Sequence, residues 1–166
     1  MIVREAHLKD ASSIVDMWKD FMEEHDELVF KANPRIKSYI QKYLKRKEDA
    51  ANLFKEYVQE NIRADDARVL LVEVEGDPVG YCLTRIQSTI PIFIVEKIGF
   101  INDLFVRKEF RGMGLSSQLK NETIKWLKKK GITHVSVAVF ADNKHARKIY
   151  KKWGFLDFQV GMRQGI

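Results

Sequence analysis

The sequence predicts a mixed α/β fold in which helices cover the faces of a central sheet. Apolar residues recur at helical spacing in several segments, alternate in the shorter β-branched segments, and the two patterns succeed one another along the chain. At 166 residues, with 45% hydrophobic residues, the chain is long enough to bury a core of its own. We therefore expect a single domain over residues 1–166.

The N-terminal part of the chain has the pattern of one strand followed by helices. Residues 2–6 form a short predicted strand, and residues 10–25 carry apolar side chains three and four positions apart, with Asp10 able to cap the first turn. Residues 34–63 carry two further apolar stripes, which either two helices or one bent helix would produce, and Pro34 suits a first turn.

Three consecutive strands are predicted in the middle of the chain. Residues 68–75 and 79–87 alternate on either side of a turn signal at 76–78, and a longer strand ends with residues 97–106. The only cysteine, Cys82, lies within this alternation, so no internal disulfide exists and a half-buried strand residue is the favoured interpretation.

Helices and strands alternate in the C-terminal part. Glycines at 131 and 154 follow basic turns and are typical of helix ends, and Asp142 or Asn143 can cap a helix start. The predicted elements are a helix at 115–131, a strand at 134–140, a helix at 142–154 and a final strand at 155–164.

The charges are unevenly distributed. Residues 1–30 carry three Lys and Arg against eight Asp and Glu, whereas residues 101–166 carry fourteen against five. The basic region favours phosphate-bearing partners, either nucleic acid or a phosphorylated cofactor, and the acidic cluster at 23–27 could receive a cation. There is no apolar run of membrane-spanning length and no signal-peptide pattern, so we expect a cytoplasmic protein with no membrane partner.

Two glycines flank Met113 in the stretch RKEFRGMGLSSQLK at 107–120, between a predicted strand and a predicted helix. A helix that begins in a glycine-rich turn presents unpaired N–H groups and the positive end of its dipole, which together bind phosphate. Glycines also serve ordinary tight turns, so this stretch alone leaves both interpretations open. The absence of G-K-[ST] and of a third glycine argues against a P-loop and a dinucleotide fingerprint.

A second motif, NKHARKIYKKWGF at 143–155, follows after one more helix and strand. Together with EFRGMG at 109–114 it resembles the GNAT superfamily of N-acetyltransferases. The first segment matches the family loop [QR]-x-x-G-x-[GA] except for Glu109 at its first position, and the second matches N-x-x-A-x-x-x-Y-x-x-x-G-[FA] throughout. The resemblance covers nearly the whole chain, least of all 30–66, and implies a mixed, mostly antiparallel twisted sheet of about six to seven strands flanked by about four helices.

The resemblance implies acetyl-CoA as cosubstrate and no metal. The fourth strand would pair with the pantetheine arm, and the glycine loop with the start of the next helix would hold the pyrophosphate through N–H groups from Arg111 to Ser116. The residues that the resemblance assigns to acetyl-CoA are Leu104, Phe105, Val106, Arg111, Gly112, Met113, Gly114, Leu115, Ser116, Ser117, Asn143, Ala146 and Tyr150.

The same resemblance makes Tyr150 the proton donor for the departing thiolate. Related polyamine- and diamine-type members, whose spacing this chain resembles most closely, carry a glutamate where this chain has Asn102, on the substrate side. An amide cannot accept the amine's proton, so Asp103 becomes a candidate base or relay, acting through a bulge or a water because a regular strand would point it to the opposite face. The remaining candidates are Glu24, His25, Glu96 and a relay to bulk water.

The function that follows is acetyl transfer from acetyl-CoA to a primary amine, by direct attack in a ternary complex. The partner is an amine-bearing acceptor, which can be a small molecule, a polyamine, or a peptide or protein amine, and a homodimer is among the expected assemblies. Two alternatives stay open. One is a non-catalytic acetyl-CoA sensor on the same fold, consistent with the missing glutamate, and the other is a basic nucleic-acid-binding module, which the core-like positions of the C-terminal aromatic residues disfavour.

Overall fold

The computed structural model describes all 166 residues and contains five strands and five α-helices. The strands are β1 Ile2–Glu5, β2 Ala67–Val74, β3 Asp77–Ser88, β4 Lys97–Val106 and β5 Val135–Val137. The helices are α1 Ala11–Ala32, α2 Pro34–Tyr43, α3 Ala50–Arg63, α4 Leu115–Lys129 and α5 Lys144–Lys152. The predicted mixed α/β fold is confirmed, with a lower strand count and a higher helix count than the expected numbers.

The five strands form one sheet in the order β1-β2-β3-β4-β5. All neighbours are antiparallel except β4 and β5, which are parallel. The predicted meander is confirmed as β2, β3 and β4, and its first turn is centred on Glu75 and Gly76, both with positive φ (56° and 95°). A two-residue turn in which both residues have positive φ has a backbone twist that matches the twist of the two antiparallel strands.

Contacts divide the chain into two compact units, Met1–Phe21 with Asp49–Ala138, and Met22–Glu48 with Val139–Ile166. The first unit contains the whole sheet. On one sheet face, Ile14 and Met17 of α1 and Val58 of α3 pack with strand residues into the main core. On the other face, Trp126 and Leu127 of α4 form a second cluster. The buried members of the main core are Ala6, Ala11, Ile14, Met17, Val58, Val69, Leu71, Tyr81, Leu83 and Phe105.

The second unit contains two capped helices. The Asn33 side chain accepts hydrogen bonds from the Arg35 and Ile36 N–H groups (3.1 and 3.3 Å) and so caps α2, with Pro34 in its first turn as predicted. Asn143 caps α5 through a hydrogen bond from the Ala146 N–H (3.0 Å). Since α2 ends at Tyr43 and α3 begins at Ala50, residues 34–63 form two helices rather than one bent helix.

The predicted final strand at 155–164 is wrong. This segment has no helical or strand structure, and its alternating apolar residues are exposed: Leu156 (86%), Phe158 (96%), Val160 (84%) and Met162 (91%). Alternation specifies two faces for an extended segment, but a strand also needs a neighbour for its N–H and C=O groups, and no strand of the sheet pairs with this one. The predicted strand at 134–140 is likewise shortened, to Val135–Val137.

Asp10 has a different local role from the predicted cap of α1. Its carboxylate accepts two hydrogen bonds from the Arg4 guanidinium (2.7 and 3.1 Å) and one from the His7 N–H (2.7 Å), while Arg4 also binds Glu73. Asp10 therefore ties the turn before α1 to β1 and β2. The hydrogen bonds from Arg4 hold the pKa of the buried Asp10 carboxyl below its ordinary value.

We expect Asp10→Asn to lower the free energy of unfolding at pH 7 by about 2 kcal/mol, because it leaves Arg4 with half of its carboxylate partners. A lowered folded-state pKa means that the stabilisation is present above the unfolded-state pKa and is lost as the pH falls through the folded-state value. Urea unfolding at pH 7 and at acid pH should show the difference between wild type and variant shrinking at acid pH. Asp16→Asn, at the exposed Asp16–Lys19 pair, is the control and should change little. A pH-independent loss in Asp10→Asn would contradict the electrostatic explanation.

Candidate functional site

One edge of β4 has no strand partner over half of its length. β4 pairs with β3 from Lys97 to Val106, but with β5 only from Gly99 to Ile101. The segment 102–106 is therefore open on the β5 side, and an extended ligand can pair with it as an additional strand. Within the segment, the Val106 carbonyl already accepts a hydrogen bond from Arg111 Nε (2.8 Å), which ties the following loop to the end of β4.

The loop after β4 holds two glycines in the left-handed region, Gly112 (φ 83°) and Gly114 (φ 77°), and Gly114 is the N-cap of α4. A Cβ at either position would meet no atom within 4 Å, so the positive φ, and not crowding within the protein, is what favours glycine here. The open space next to both glycines lies directly at the start of α4, where a bound group could approach the backbone.

The N–H groups of this loop are available for a ligand from Gly112 onward. None of the N–H groups of residues 112–117 donates to a backbone acceptor, and α4 continues from Gly114 with the Gln118 N–H bonded to the Gly114 carbonyl (3.1 Å). The Arg111 N–H differs from the prediction, because it donates to the Lys108 carbonyl (3.2 Å) within the short 3₁₀ turn at Lys108–Phe110. Unpaired N–H groups at a helix start form an anion-binding site.

The second motif lies on α5 and at its end, in the second unit. The Tyr150 ring lies edge-on to Trp153 (5.7 Å between centroids) and Phe155 (5.6 Å). The Phe155 N–H donates to the Tyr150 carbonyl (3.0 Å), and Gly154 has φ 90°, as in a glycine-terminated helix. These contacts fix Tyr150 in the last turn of α5, while Asn143 and Ala146 join in the cap at its start.

A β-bulge interrupts β4 at Asn102. Leu83 of β3 pairs with Asp103 and Thr84 pairs with Ile101, so Asn102 is an extra residue between two paired positions. A bulge breaks the strict alternation of side chains and re-aims those next to it. Asp103 consequently occupies the position next to the Tyr81–Phe105 pair, on the sheet face that carries Leu83 and the main core. The sequence left this arrangement open, since it depended on whether a bulge was present.

Two oxygen atoms at or near this bulge lack the partners that buried polar groups ordinarily have, and the half-buried Asp103 carboxyl lies between them in β4 register. The Tyr81 side chain is fully buried and its hydroxyl has no hydrogen-bond partner, and Asn102 Oδ1 is buried and also unpaired. Burial raises the pKa of Asp103 to about 6. Burial, and then the charge of Asp103, raise the pKa of Tyr81 well above its ordinary value. A carboxyl that titrates near neutral pH is suited to accept a proton there.

The other candidate bases lie in different surroundings. His25 Nδ1 is 3.5 Å from Asp26 Oδ1, and the ring lies edge-on to Phe140 (4.5 Å). Asp26 accepts two hydrogen bonds from Arg46 (2.7 and 2.8 Å), which neutralises part of the acidic cluster at 23–27. Glu96 is exposed and precedes β4 by one residue.

Cys82 is completely buried, more than the predicted half-buried position. Its Sγ lies 3.5 Å from the hydroxyls of Thr84 and Thr123, and burial raises the pKa of its thiol, opposite to what an activated thiolate requires. The chain contains no group of three or more His, Cys, Asp or Glu side chains placed to hold a metal ion. None of its helices combines the length and apolarity that a membrane crossing requires.

The profile of the acetyltransferase (GNAT) family matches residues 17–155. The chain belongs to the acetyltransferase (GNAT) family. Among its GNAT relatives, an uncharacterised N-acetyltransferase of Methanocaldococcus jannaschii is 32% identical over 150 residues, which cover 89% of this chain and 62% of that protein. The chain therefore spans 62% of this relative's length.

Solved structures share the GNAT fold over the full chain. A Bacillus halodurans protein, solved as a point mutant, matches with a TM-score of 0.82 and 20% identity, covering 100% of this chain and 99% of that one. A predicted acetyltransferase of Clostridium acetobutylicum, solved with acetyl-CoA, matches with a TM-score of 0.77 and 16% identity, covering 99% and 95%. Family membership confirms the predicted superfamily.

Proposed function

We propose that this GNAT protein transfers the acetyl group of acetyl-CoA to a primary amine by direct attack in a ternary complex. The observation that carries the proposal is the open β4 edge at 102–106, which leads into a loop with unbonded N–H groups from Gly112 to Ser117. An extended arm followed by a pyrophosphate has the shape and charge that such an edge and helix start can bind. We further propose that residues 1–166 work as one GNAT domain.

Different residues of the chain bind different parts of acetyl-CoA. Leu104, Phe105 and Val106 pair with the pantetheine arm, and the N–H groups of Gly112, Met113, Gly114, Leu115, Ser116 and Ser117 hold the pyrophosphate. The Ser116 and Ser117 hydroxyls add donors. Arg111 contributes through its guanidinium, which lies over the Phe105 ring (5.5 Å), because its N–H is used within the chain. Asn143 and Ala146 are further proposed contacts, on the strength of the family motif.

Acetyl-CoA supplies an activated thioester, and the chain must take one proton from the acceptor's ammonium group and give one proton to the departing thiolate. Asp103 accepts a proton from the acceptor's ammonium group, and Asn102 Oδ1 accepts a hydrogen bond from a remaining N–H. A strand N–H near Leu104 or Phe105 donates to the carbonyl oxygen where negative charge develops. The Tyr150 hydroxyl donates its proton to the departing thiolate, and the second proton that the nitrogen loses as the amide forms returns Tyr150 to its neutral form.

The chemical class of the acceptor has to be determined by a screen of amines. The spacing shared with polyamine- and diamine-type members favours a small cationic amine, and a buried carboxyl beside an unpaired amide oxygen suits an ammonium group. Calorimetry with acetyl-CoA, then a free-thiol assay over small amines, polyamines and peptides, tests both steps. Absence of cofactor binding by the folded protein would overturn the proposal. Cofactor binding with no thiol release from any acceptor would favour the acetyl-CoA sensor, for which the amide at Asn102 is the supporting observation.

We expect Tyr150→Phe to lower kcat by about 10²-fold, because the departing thiolate loses its proton donor. The acetyl-CoA dissociation constant should change little, since the ring contacts with Trp153 and Phe155 stay in place. Initial rates and calorimetry measure the two quantities. Tyr43→Phe removes the same hydroxyl from an exposed ring at the end of α2 and is the control. Equal kcat in wild type and Tyr150→Phe would assign the proton donor elsewhere.

A further inference from the structure

The Tyr81 hydroxyl has no role in the packing of the core. The Tyr81 side chain is fully buried on β3, and its ring packs with Phe105 of β4 (6.4 Å between centroids) and the main core. A phenylalanine would make the same apolar contacts. A hydroxyl that is buried without a hydrogen-bond partner destabilises the fold by about 1–3 kcal/mol, so its presence requires another explanation.

The bulge places Asp103 on the same sheet face as Tyr81. Asp103 pairs with Leu83, two residues from Tyr81 on the same strand and on the same sheet face. The charge of Asp103 raises the pKa of Tyr81, yet no direct hydrogen bond joins the two groups. A buried hydroxyl and a half-buried carboxyl on one sheet face can share an internal water, which satisfies polar groups that do not bond one another directly.

The other ionisable groups near this pair are accounted for. On β3, Cys82 faces the opposite side of the sheet, with Thr84 and Thr123. From α1, Phe21 packs against Phe105, and Asp20 lies 3.6 Å from Arg107. On α3, Asn61 is buried and donates a hydrogen bond to the Tyr57 carbonyl (2.7 Å). Tyr81 is the ionisable side chain on the core face whose pKa the charge of Asp103 raises.

We propose that Tyr81 is a positioning residue whose hydroxyl holds one buried water against the Asp103 carboxylate, and that this water carries the acceptor's proton to Asp103. The inference rests on the proposed acetyl transfer and deepens it. The ammonium nitrogen gives one proton to the water while the water gives one to the carboxylate, so the amine becomes neutral, Asp103 becomes a carboxylic acid and Tyr81 keeps its proton. Asp103 returns to the carboxylate by releasing the proton to solvent after the transfer.

Tyr81→Phe tests this role, with Tyr57→Phe as the matched control. Tyr57 is a half-buried tyrosine of α3 that packs against the same core. In protein labelled with ¹³C at aspartate carboxyls, the pKa of Asp103 should rise by about half a unit or more in Tyr81→Phe, because a hydrogen bond to the charged form has been lost. The pKa should stay unchanged in Tyr57→Phe. This readout needs neither acetyl-CoA nor an acceptor.

The kinetic part uses the acceptor found in the amine screen. We expect Tyr81→Phe to lower kcat by about tenfold, with the KM for acetyl-CoA unchanged and the melting temperature equal or higher. The variant should cause no additional loss in an Asp103→Asn background, because the water then has no carboxylate to which it can pass the proton. An Asp103 pKa identical in wild type and Tyr81→Phe overturns the proposal, as does an unchanged kcat. A wild-type protein that releases no thiol is a different result, which refutes the proposed acetyl transfer itself.

Discussion

Asp103→Asn should lower kcat/KM by about 10²- to 10⁴-fold, while it stabilises the fold at pH 7 by up to about 3 kcal/mol. The activity falls because an amide cannot accept the proton of the acceptor. The stability rises because the buried carboxylate is costly and an amide of the same shape carries no charge. Wild-type kcat/KM should rise with pH through about 6, as Asp103 loses its proton, and the variant should lack this limb.

The sign of the stability effect follows from a pKa that burial raises from 3.8 to about 6 in the folded protein. Because the folded state binds this proton more tightly than the unfolded state, the contribution of Asp103 to the free energy of unfolding falls as the pH rises from 3.8 to about 6. Urea unfolding should therefore show wild type and Asp103→Asn converging at the acid end and separating by pH 7. Asp66→Asn, at an exposed carboxyl in the same unit, should show neither effect. A variant that is destabilised at pH 7 would mean that the carboxylate has stabilising partners.

Gly114→Ala should weaken acetyl-CoA binding by about ten- to a hundredfold, or about 1.4–2.8 kcal/mol. The new Cβ has room in the protein itself, but it occupies the space beside the N–H groups that the pyrophosphate would use. An alanine at φ 77° also strains the backbone, so the start of α4 should shift away from its anion-binding geometry. Calorimetry with acetyl-CoA measures the loss directly.

The hairpin turn offers a matched control for this glycine. Gly76 has φ 95°, and a Cβ there would also meet no atom within 4 Å, but the residue lies in the β2–β3 turn. Like Gly114→Ala, Gly76→Ala should lower the free energy of unfolding by about 1–2 kcal/mol, because alanine is strained at a positive φ. Its affinity for acetyl-CoA should equal that of the wild type. Similar affinity losses in the two variants would show that global strain, and not the loop, explains the effect.

The sequence predicted those elements whose signal is local. The β2–β4 meander alternates between apolar and polar residues around glycine turns, and α4 and α5 carry their own stop signals at Gly131 and Gly154, so each was located within a few residues. The strand expected at 155–164 had the same alternation and was wrong, because pairing depends on a neighbour that the segment's own residues do not specify. Asp10 was assigned to a helix cap, since its ion pair with Arg4 involves a side chain from another element.

The same distinction between local signals and contacts with other elements applies to the candidate site. Glycine spacing and the motif around Asn143 indicated the elements that we propose bind acetyl-CoA, and the placement of these elements depends on local backbone geometry. The bulge at Asn102 could not be predicted, because it is a property of the register between β3 and β4. Tyr81 was missed for the same reason. In the segment VGYCLTRI it looks like an ordinary core aromatic, and only the unpaired hydroxyl on the sheet face of Asp103 distinguishes it. The signal available in the sequence was the hydroxyl of Tyr81 at a strand position that faces the core.

The bulge also exchanges the faces of β4 that odd and even residue numbers occupy. Upstream of it, Gly99 and Ile101 face α4, and a Cβ on residue 99 would lie 2.5 Å from the Leu127 side chain. A regular strand of the same length, aligned on Asp103, would bring Ile98 and Phe100 to the face where only glycine fits. Deletion of Asn102 would remove the extra residue and leave the two halves of β4 on their present faces. A single-residue deletion well away from the bulge would instead move one half of the strand to the wrong face.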